Sequence, residues 1–246
     1  MDTLHYFQQV YGQVPDWVQK MHDYQPKALE YYTKLRNEIM VDGAVSKKTK
    51  ELVLVGINAA RRYERSMIYH TKGALDSGAT IEELVEILTP CILSRGIPAW
   101  LEGIKAIQYA HDYTAKQNGK PTAVEGHRAF QCVGEAIVYF KRESGGQTPE
   151  WVQLMEKEAA HVLQHYGSLR ASILKDGIVP RKVKEFVLIG INVSERYKEG
   201  VQIHITSAKN LGATDQEIAE ITLTALLTAG IPAWFEGSDF LHFKNV

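Results

Sequence analysis

The chain is short of cysteine. Its two, Cys91 and Cys132, fall one in an apolar helical run and one in the middle connector, with neither CxxC spacing nor histidines nearby. That excludes a disulfide scaffold and a CxxC redox or zinc motif, and two buried or half-buried free thiols are expected instead. Long apolar runs are missing too: no segment reaches the roughly 18 uninterrupted apolar residues of a membrane helix, so no membrane partner is expected. The opening MDTLHYFQQVYGQVPDW has no charged stretch followed by an apolar core, which points to a cytoplasmic protein. Nor does one charge predominate, since 28 Lys and Arg face 29 Asp and Glu. Without a basic stripe there is no footprint for a phosphate backbone, so small molecules and not nucleic acids are the expected partners. What is present, 246 residues with 45% hydrophobic and 23% charged content, is globular composition and enough chain for two domains.

An internal repeat sets the organisation. Residues 15–103 align without a gap on residues 149–237, position n on position n + 134. Matching segments include Asp42-Gly43 with Asp176-Gly177, Gly56-Ile57-Asn58 with Gly190-Ile191-Asn192, and Gly96-Ile97-Pro98-Ala99-Trp100 with Gly230-Ile231-Pro232-Ala233-Trp234. Tyr139-Phe140 echoes Tyr6-Phe7, with one residue inserted before the shared Pro-x-Trp. Two long copies argue for a pair of similar domains and not a solenoid. The polar stretch Asp112 to Pro121 is linker composition, and the expected division is 1–120 and 121–246.

Each copy reads as helical. Leu29, Tyr32, Leu35, Arg36 and Ile39 recur at helical spacing, Pro26 suits a first turn, and Gly43 is expected to cap the helix with a positive φ. The run Glu51 to Ala60 is apolar on nearly all sides and predicts a central helix. Thr80-Ile-Glu-Glu83 and Thr214-Asp-Gln-Glu217 are capping boxes. The first opens a helix running toward Arg95-Gly96, and the Gly-Ile-Pro-Ala-Trp segment restarts the chain into a last one. No strand alternation stands out, so the expected fold class is all-α: two tandem copies related by a pseudo-twofold axis. The apolar Ile-Pro-Ala-Trp segments are expected in or near the contact between them.

Polar residues placed in apolar surroundings in both copies are candidates for chemistry. They are Glu51 with Glu185, Asn58 with Asn192, Arg62 with Arg196, Tyr63 with Tyr197, His70 with His204, and Glu102 with Glu236. A buried carboxylate is costly unless paired, and an imidazole can pair with it while titrating near neutrality. A Glu–His pair can relay protons or can be a structural tie between helices. Arg62, a competing partner for Glu51, lies about 16 Å up the same helix if that helix continues, beyond a direct contact. Asn58 and Asn192 read as structural amides, and Glu102 and Glu236 as residues that cap or pair a helix end. Trp100 and Trp234 are either core aromatics or surfaces for substrate stacking.

The spacing Glu51, then Tyr63-x-x-Ser66-x-x-x-His70, then Gly-Ala-Thr-x-x-Glu resembles the carboxymuconolactone decarboxylase and alkylhydroperoxidase D superfamily. There a Glu precedes Cys-x-x-Cys-x-x-x-His and a Gly-Ala-Thr helix start. The second copy repeats the pattern as Glu185, Tyr197, Gly200 and His204. Tyr63 and Ser66, or Tyr197 and Gly200, stand where the peroxidase branch has its cysteines, so thiolate attack on peroxide is not expected. The resemblance then implies the decarboxylase branch, which needs no metal or organic cofactor, and whose hexamer of single-domain subunits would become a trimer of tandem chains. It also implies a break near residues 61–64 that folds the His70 helix back beside Glu51, which makes His70 the expected partner of Glu51, and His204 that of Glu185. The expected activity is that of a cofactor-independent lyase or isomerase on a small carboxylate-bearing substrate. In that reading His70 and His204 are general acid/base, assisted by Glu51 and Glu185, and Tyr63, Ser66, Arg62, Tyr197, Arg196, Trp100 and Trp234 contact substrate. The alternative is a noncatalytic binding or assembly protein of the same fold. A metal site is a weaker alternative, since one Glu and one His per copy fall short of the usual three or four ligands.

Overall fold

A computed structural model describes residues 2–114 and 127–241; the boundary expected near residue 120 lies outside them. The described residues form helices and no strands. The first copy runs α1 (Thr3–Tyr11), α2 (Asp16–Tyr24), α3 (Pro26–Ile39), α4 (Lys47–Ala60), α5 (Glu64–Asp76), α6 (Ile81–Leu88), α7 (Pro90–Arg95) and α8 (Ile97–Thr114). The second runs α9 (Val133–Glu143), α10 (Glu150–Ile173), α11 (Arg181–Glu195), α12 (Lys198–Asn210), α13 (Asp215–Ala229) and α14 (Ile231–Ser238). None of these helices is long and apolar enough to cross a membrane.

Local chemistry accounts for most of the boundaries. Pro26 occupies the first turn of α3, where a missing N–H costs nothing. Both capping boxes form, Thr80 with Glu83 and Thr214 with Glu217. Gly96 and Gly230 take φ of 70° and 76° ahead of α8 and α14, a conformation open to glycine at little cost. The copies differ at two points. Pro90 has no N–H to continue α6, so α6 and α7 are separate where α13, with Thr224 at that place, is continuous. Gln25 (φ −144°, ψ 60°) separates α2 from α3, and the same kink at Ala159 (φ −153°, ψ 51°) lies inside α10.

The central helices α4 and α11 are buried from Lys50 to Ala60 and from Lys184 to Ser194. A helix buried all round needs neighbours on every side. Within its own copy α4 packs on α5, α6, α7 and α8, and its remaining face meets α11 and α13 of the other copy. Two glycines permit that approach: a Cβ on Gly56 would stand 2.6 Å from Val187 Cγ1, and one on Gly190 would stand 2.8 Å from Ile57 Cδ1.

The contact is reciprocal. Glu86 of α6 accepts the amides of Ile178 and Val179 and pairs with Lys184, while Glu220 of α13 accepts those of Ala44 and Val45 and pairs with Lys50. Each residue is answered by its counterpart 134 positions away, the pattern of an isologous twofold contact.

Three expectations are corrected here. Gly43 does not cap α3, which ends at Ile39, and its φ is not positive. It is small because the Glu220 carboxylate lies against it, and a Cβ there would meet Oε1 at 2.6 Å. The Ile-Pro-Ala-Trp segments do not build the contact between copies: α8 packs on α4 to α7 and α14 on α11 to α13, with Ile97 and Ile231 exposed. Cys132 is exposed, whereas Cys91 is buried.

Candidate active site

Each central helix ends in a reversal. Arg62 and Arg196 take φ of 54° and 61°, a left-handed conformation that costs a non-glycine residue on the order of 1 kcal/mol. The Tyr63 amide closes the first turn on the Asn58 carbonyl, and Tyr197 does the same on Asn192. Arg196 adds hydrogen bonds to the carbonyls of Val193, Ser194 and Ala229. α5 and α12 are thereby folded back along α4 and α11, which brings each histidine beside its glutamate.

In both copies the ring Nδ1 donates to the buried carboxylate, His70 to Glu51 Oε2 at 2.7 Å and His204 to Glu185 Oε2 at 2.7 Å. A carboxylate only accepts, so Nδ1 carries the hydrogen and Nε2 is left as the basic nitrogen. Gly73 makes room for the first pair, since a Cβ there would stand 2.7 Å from the Glu51 carboxyl carbon.

The other carboxylate oxygen is treated differently in the two copies. Glu51 Oε1 lies 3.6 Å from Nη2 of Arg36, and neither atom has a hydrogen-bond partner among the described residues. Arg36 also donates to the Tyr6 hydroxyl and lies against the Tyr11 ring. Burial disfavours its charge, yet the tyrosines and Glu51 outweigh this and raise its pKa. In the second copy Arg181 takes the place of that partner, reaching Glu185 Oε1 at 3.3 Å while Glu143 holds it from the other side. Burial works against the Glu185 carboxylate, but the His204 hydrogen bond and the charges of His204, Arg170 and Arg181 hold its pKa below the usual value.

Each histidine lines a cavity. The first, of about 230 Å³, has Trp17, Tyr32, Arg36, Tyr63, Ser66 and His70 on its walls, with the stacked pair Tyr11 and Tyr69 beside them. The second, of about 880 Å³, has the counterparts Trp151, Tyr166, Arg170, Tyr197, Gly200 and His204. The opposite copy closes each one: Leu227 and Thr228 complete the first, and Leu93, Ser94 and Arg95 the second. Asn58 is tied across that seam, donating to the Leu54 carbonyl and accepting from Thr228 Oγ1.

Of the residues expected at the site, Glu51 with His70 and Glu185 with His204 are brought together, and Tyr63, Ser66 and Tyr197 lie on the cavity walls. Arg62 and Arg196 lie at the helix reversals and line neither cavity. Trp100 packs against the core and Trp234 is half-buried, also away from the cavities. Among the described residues no three His, Cys, Asp or Glu side chains converge as a metal site would need. Arg36 and Arg170 were missed, although an arginine on an apolar stripe in both copies is the same kind of signal that singled out Glu51. The residues donated by the opposite copy carry no local signal at all.

Comparison with known proteins agrees with this architecture. The model of the carboxymuconolactone decarboxylase family matches residues 26–109 and 160–242, once in each copy. The uncharacterized protein MJ1511 of Methanocaldococcus jannaschii is 27% identical over 82 residues, covering 33% of this chain and 77% of that protein. The uncharacterized protein H16_B0147 of Cupriavidus necator is 29% identical over 85 residues, 35% of this chain and 75% of its own. A crystal structure provisionally assigned as a gamma-carboxymuconolactone decarboxylase subunit, from Burkholderia xenovorans LB400, superposes with a TM-score of 0.67 at 20% identity, covering 96% of this chain and 93% of that one. The chain belongs to the carboxymuconolactone decarboxylase family, as an all-helical tandem member without the adjacent cysteine pair.

Proposed function

We propose that this protein is a cofactor-independent lyase or isomerase acting on a small carboxylate-bearing substrate, with His70 and His204 as general acid/base and Glu51 and Glu185 orienting them. The observation that carries the proposal is the buried Glu–His hydrogen bond at 2.7 Å, present in both copies on a cavity wall. A carboxylate on Nδ1 fixes the tautomer and stabilises the imidazolium formed when Nε2 takes a proton. In a decarboxylation the histidine first takes a proton from water; the C–C bond to the carboxylate then breaks, carbon dioxide leaves, and the electron pair stays on the substrate as an enolate that the imidazolium protonates at carbon. In an isomerisation the same nitrogen first removes a proton next to a carbonyl and returns it elsewhere. Tyr63 and Tyr197 are the cavity hydroxyls suited to donate to the enolate oxygen, and Ser66 adds one in the first copy only.

Thiol peroxidase chemistry is not part of the proposal. Tyr63, Ser66, Tyr197 and Gly200 hold the positions of the redox cysteines. Burial pushes the Cys91 thiol up to about 12, so it is not a thiolate near neutrality.

The alternative, a noncatalytic binding protein, draws support from Arg36, which ties Glu51 to Tyr6 as a structural network would. A screen of carboxylactones and β-keto acids for carbon dioxide release, run beside the double variant His70→Gln/His204→Gln, separates the two. Catalysis predicts a folded variant whose turnover falls by about 10²- to 10⁴-fold. A structural role predicts lower melting temperature and no turnover in either protein. Assembly as a trimer is proposed with this reading, with exposed Ile97, Leu101, Ile231 and Phe235 as its apolar contacts. Sedimentation equilibrium of the full chain tests it, and a monomer rejects it.

A further inference from the structure

The two cavities are built from matching residues, yet they differ in size and in how their charges are paired. Tyr11 and Tyr69, stacked with centroids 4.5 Å apart, stand at the first. Their counterparts at the second are Ser144 and Ile203, and the space is about 880 Å³ against about 230 Å³. Cavities that enclose a ligand of drug size span roughly 300–1,000 Å³, so only the second is large enough.

The difference in pairing comes from one exchange of partners. At the first site Arg36 is engaged by Glu51 and the Tyr6 hydroxyl. At the second, Arg181 has taken over Glu185, in place of exposed Lys47 in the first copy, and Glu143 completes its pairing. Arg170, the counterpart of Arg36, still acts on Glu185 through its charge but makes no hydrogen bond or close ion pair among the described residues, although it is only 8% exposed and lines the cavity. The hydroxyl of Tyr139, the counterpart of Tyr6, likewise has no partner among them. A buried guanidinium whose N–H groups have no acceptor is a standing cost, and its planar fork matches a carboxylate. Of the carboxylates on the cavity wall, Glu143 is held by Arg181, and Glu150 belongs to an exposed residue at the start of α10. Arg95, from the other copy, is occupied by Glu195 at 3.6 Å.

We propose that the second cavity, and not the first, is the ligand site of this protein, and that it takes an organic anion with an extended apolar body whose carboxylate sits on Arg170. The body lies along Phe140, Met155, Val162 and Ile203, and Trp151 offers it an aromatic face. The inference narrows the acid–base reading to the second site, where His204 and not His70 meets the ligand, and rests on that reading only for the proton transfer at His204.

The test is calorimetric titration of the full chain with 4-phenylbutyrate and its neutral isostere 4-phenylbutyramide. The acid binds once per chain and about 10- to 100-fold more tightly than the amide. Arg170→Gln removes the preference for the acid and Arg170→Lys restores part of it. Ser144→Tyr/Ile203→Tyr, which rebuilds the tyrosine pair of the first copy, abolishes binding independently of Arg170. Two equivalents per chain, equal binding of acid and amide, no binding of either, or indifference to the tyrosine pair each overturns the proposal. If the acid binds as described but no substrate is turned over, the catalytic reading fails and this one stands. Turnover insensitive to Arg170→Gln, with equal binding of acid and amide, overturns this one and leaves the catalytic reading standing.

Discussion

Lys184 of the second copy places its ammonium 2.9 Å from the carboxylate of Glu86 in the first, and both side chains are buried in the contact between the copies. The same carboxylate accepts the amides of Ile178 and Val179. Glu86→Ala therefore leaves two amides unpaired and a buried ammonium with the Lys175 carbonyl but no counter-charge, and should lower the unfolding free energy by about 3–5 kcal/mol. Glu86→Gln, which keeps an acceptor, should cost less. Urea denaturation of the two variants checks the order, and a loss under about 1 kcal/mol for the alanine would mean that the pair behaves as an exposed one.

Acid should weaken the same contact. Burial opposes the charge of Glu86 and Glu220, but hydrogen bonds from Lys184 or Lys50 and from two amides each hold their pKa values below the ordinary 4.5. A depressed carboxylate stabilises the fold fully above its unfolded pKa, and that stability is lost as pH falls through the folded value. Glu185 has the same sign. Thermal melts should thus be insensitive to these groups above about pH 5.5 and fall below about pH 4.5. Melting temperatures that rise on acidification through this window would contradict the assignment.

Gly56 and Gly190 set the approach of the two central helices. Gly56→Ala puts a methyl 2.6 Å from Val187 Cγ1, and overpacking of this kind costs roughly 1–3 kcal/mol. That outweighs the gain in helix propensity, about 1 kcal/mol, so the variant should be less stable despite its better helix former. An increase in the denaturation midpoint would show that the crossing has room.

Hydroperoxide reduction coupled to a dithiol should not exceed the uncatalysed rate. Cys91 is buried, donates to the Gly56 carbonyl and has its pKa raised to about 12. Cys91→Ser should leave any residual rate unchanged, and a rate that the substitution removes would relocate the chemistry.

Much of this protein is determined by the sequence alone, because the determinants are local or repeated. Capping boxes at Thr80 and Thr214 involve residues three apart, Pro26 acts within one turn, and duplication marks Glu51, His70, Glu185 and His204 as polar residues kept in apolar runs. The tertiary structure alone decides what depends on the approach of distant segments. Gly43 reads as a helix cap until Glu220 is seen against it, and the Ile-Pro-Ala-Trp helices read as an interface until α4 and α11 are found in that place. The Arg36 and Arg170 positions look alike as text, and differ because Arg181, with Glu143 behind it, displaces one of them from its glutamate. Local patterns specify backbone and burial, while the partner of a buried charge is settled by whichever competing charge the fold brings nearest.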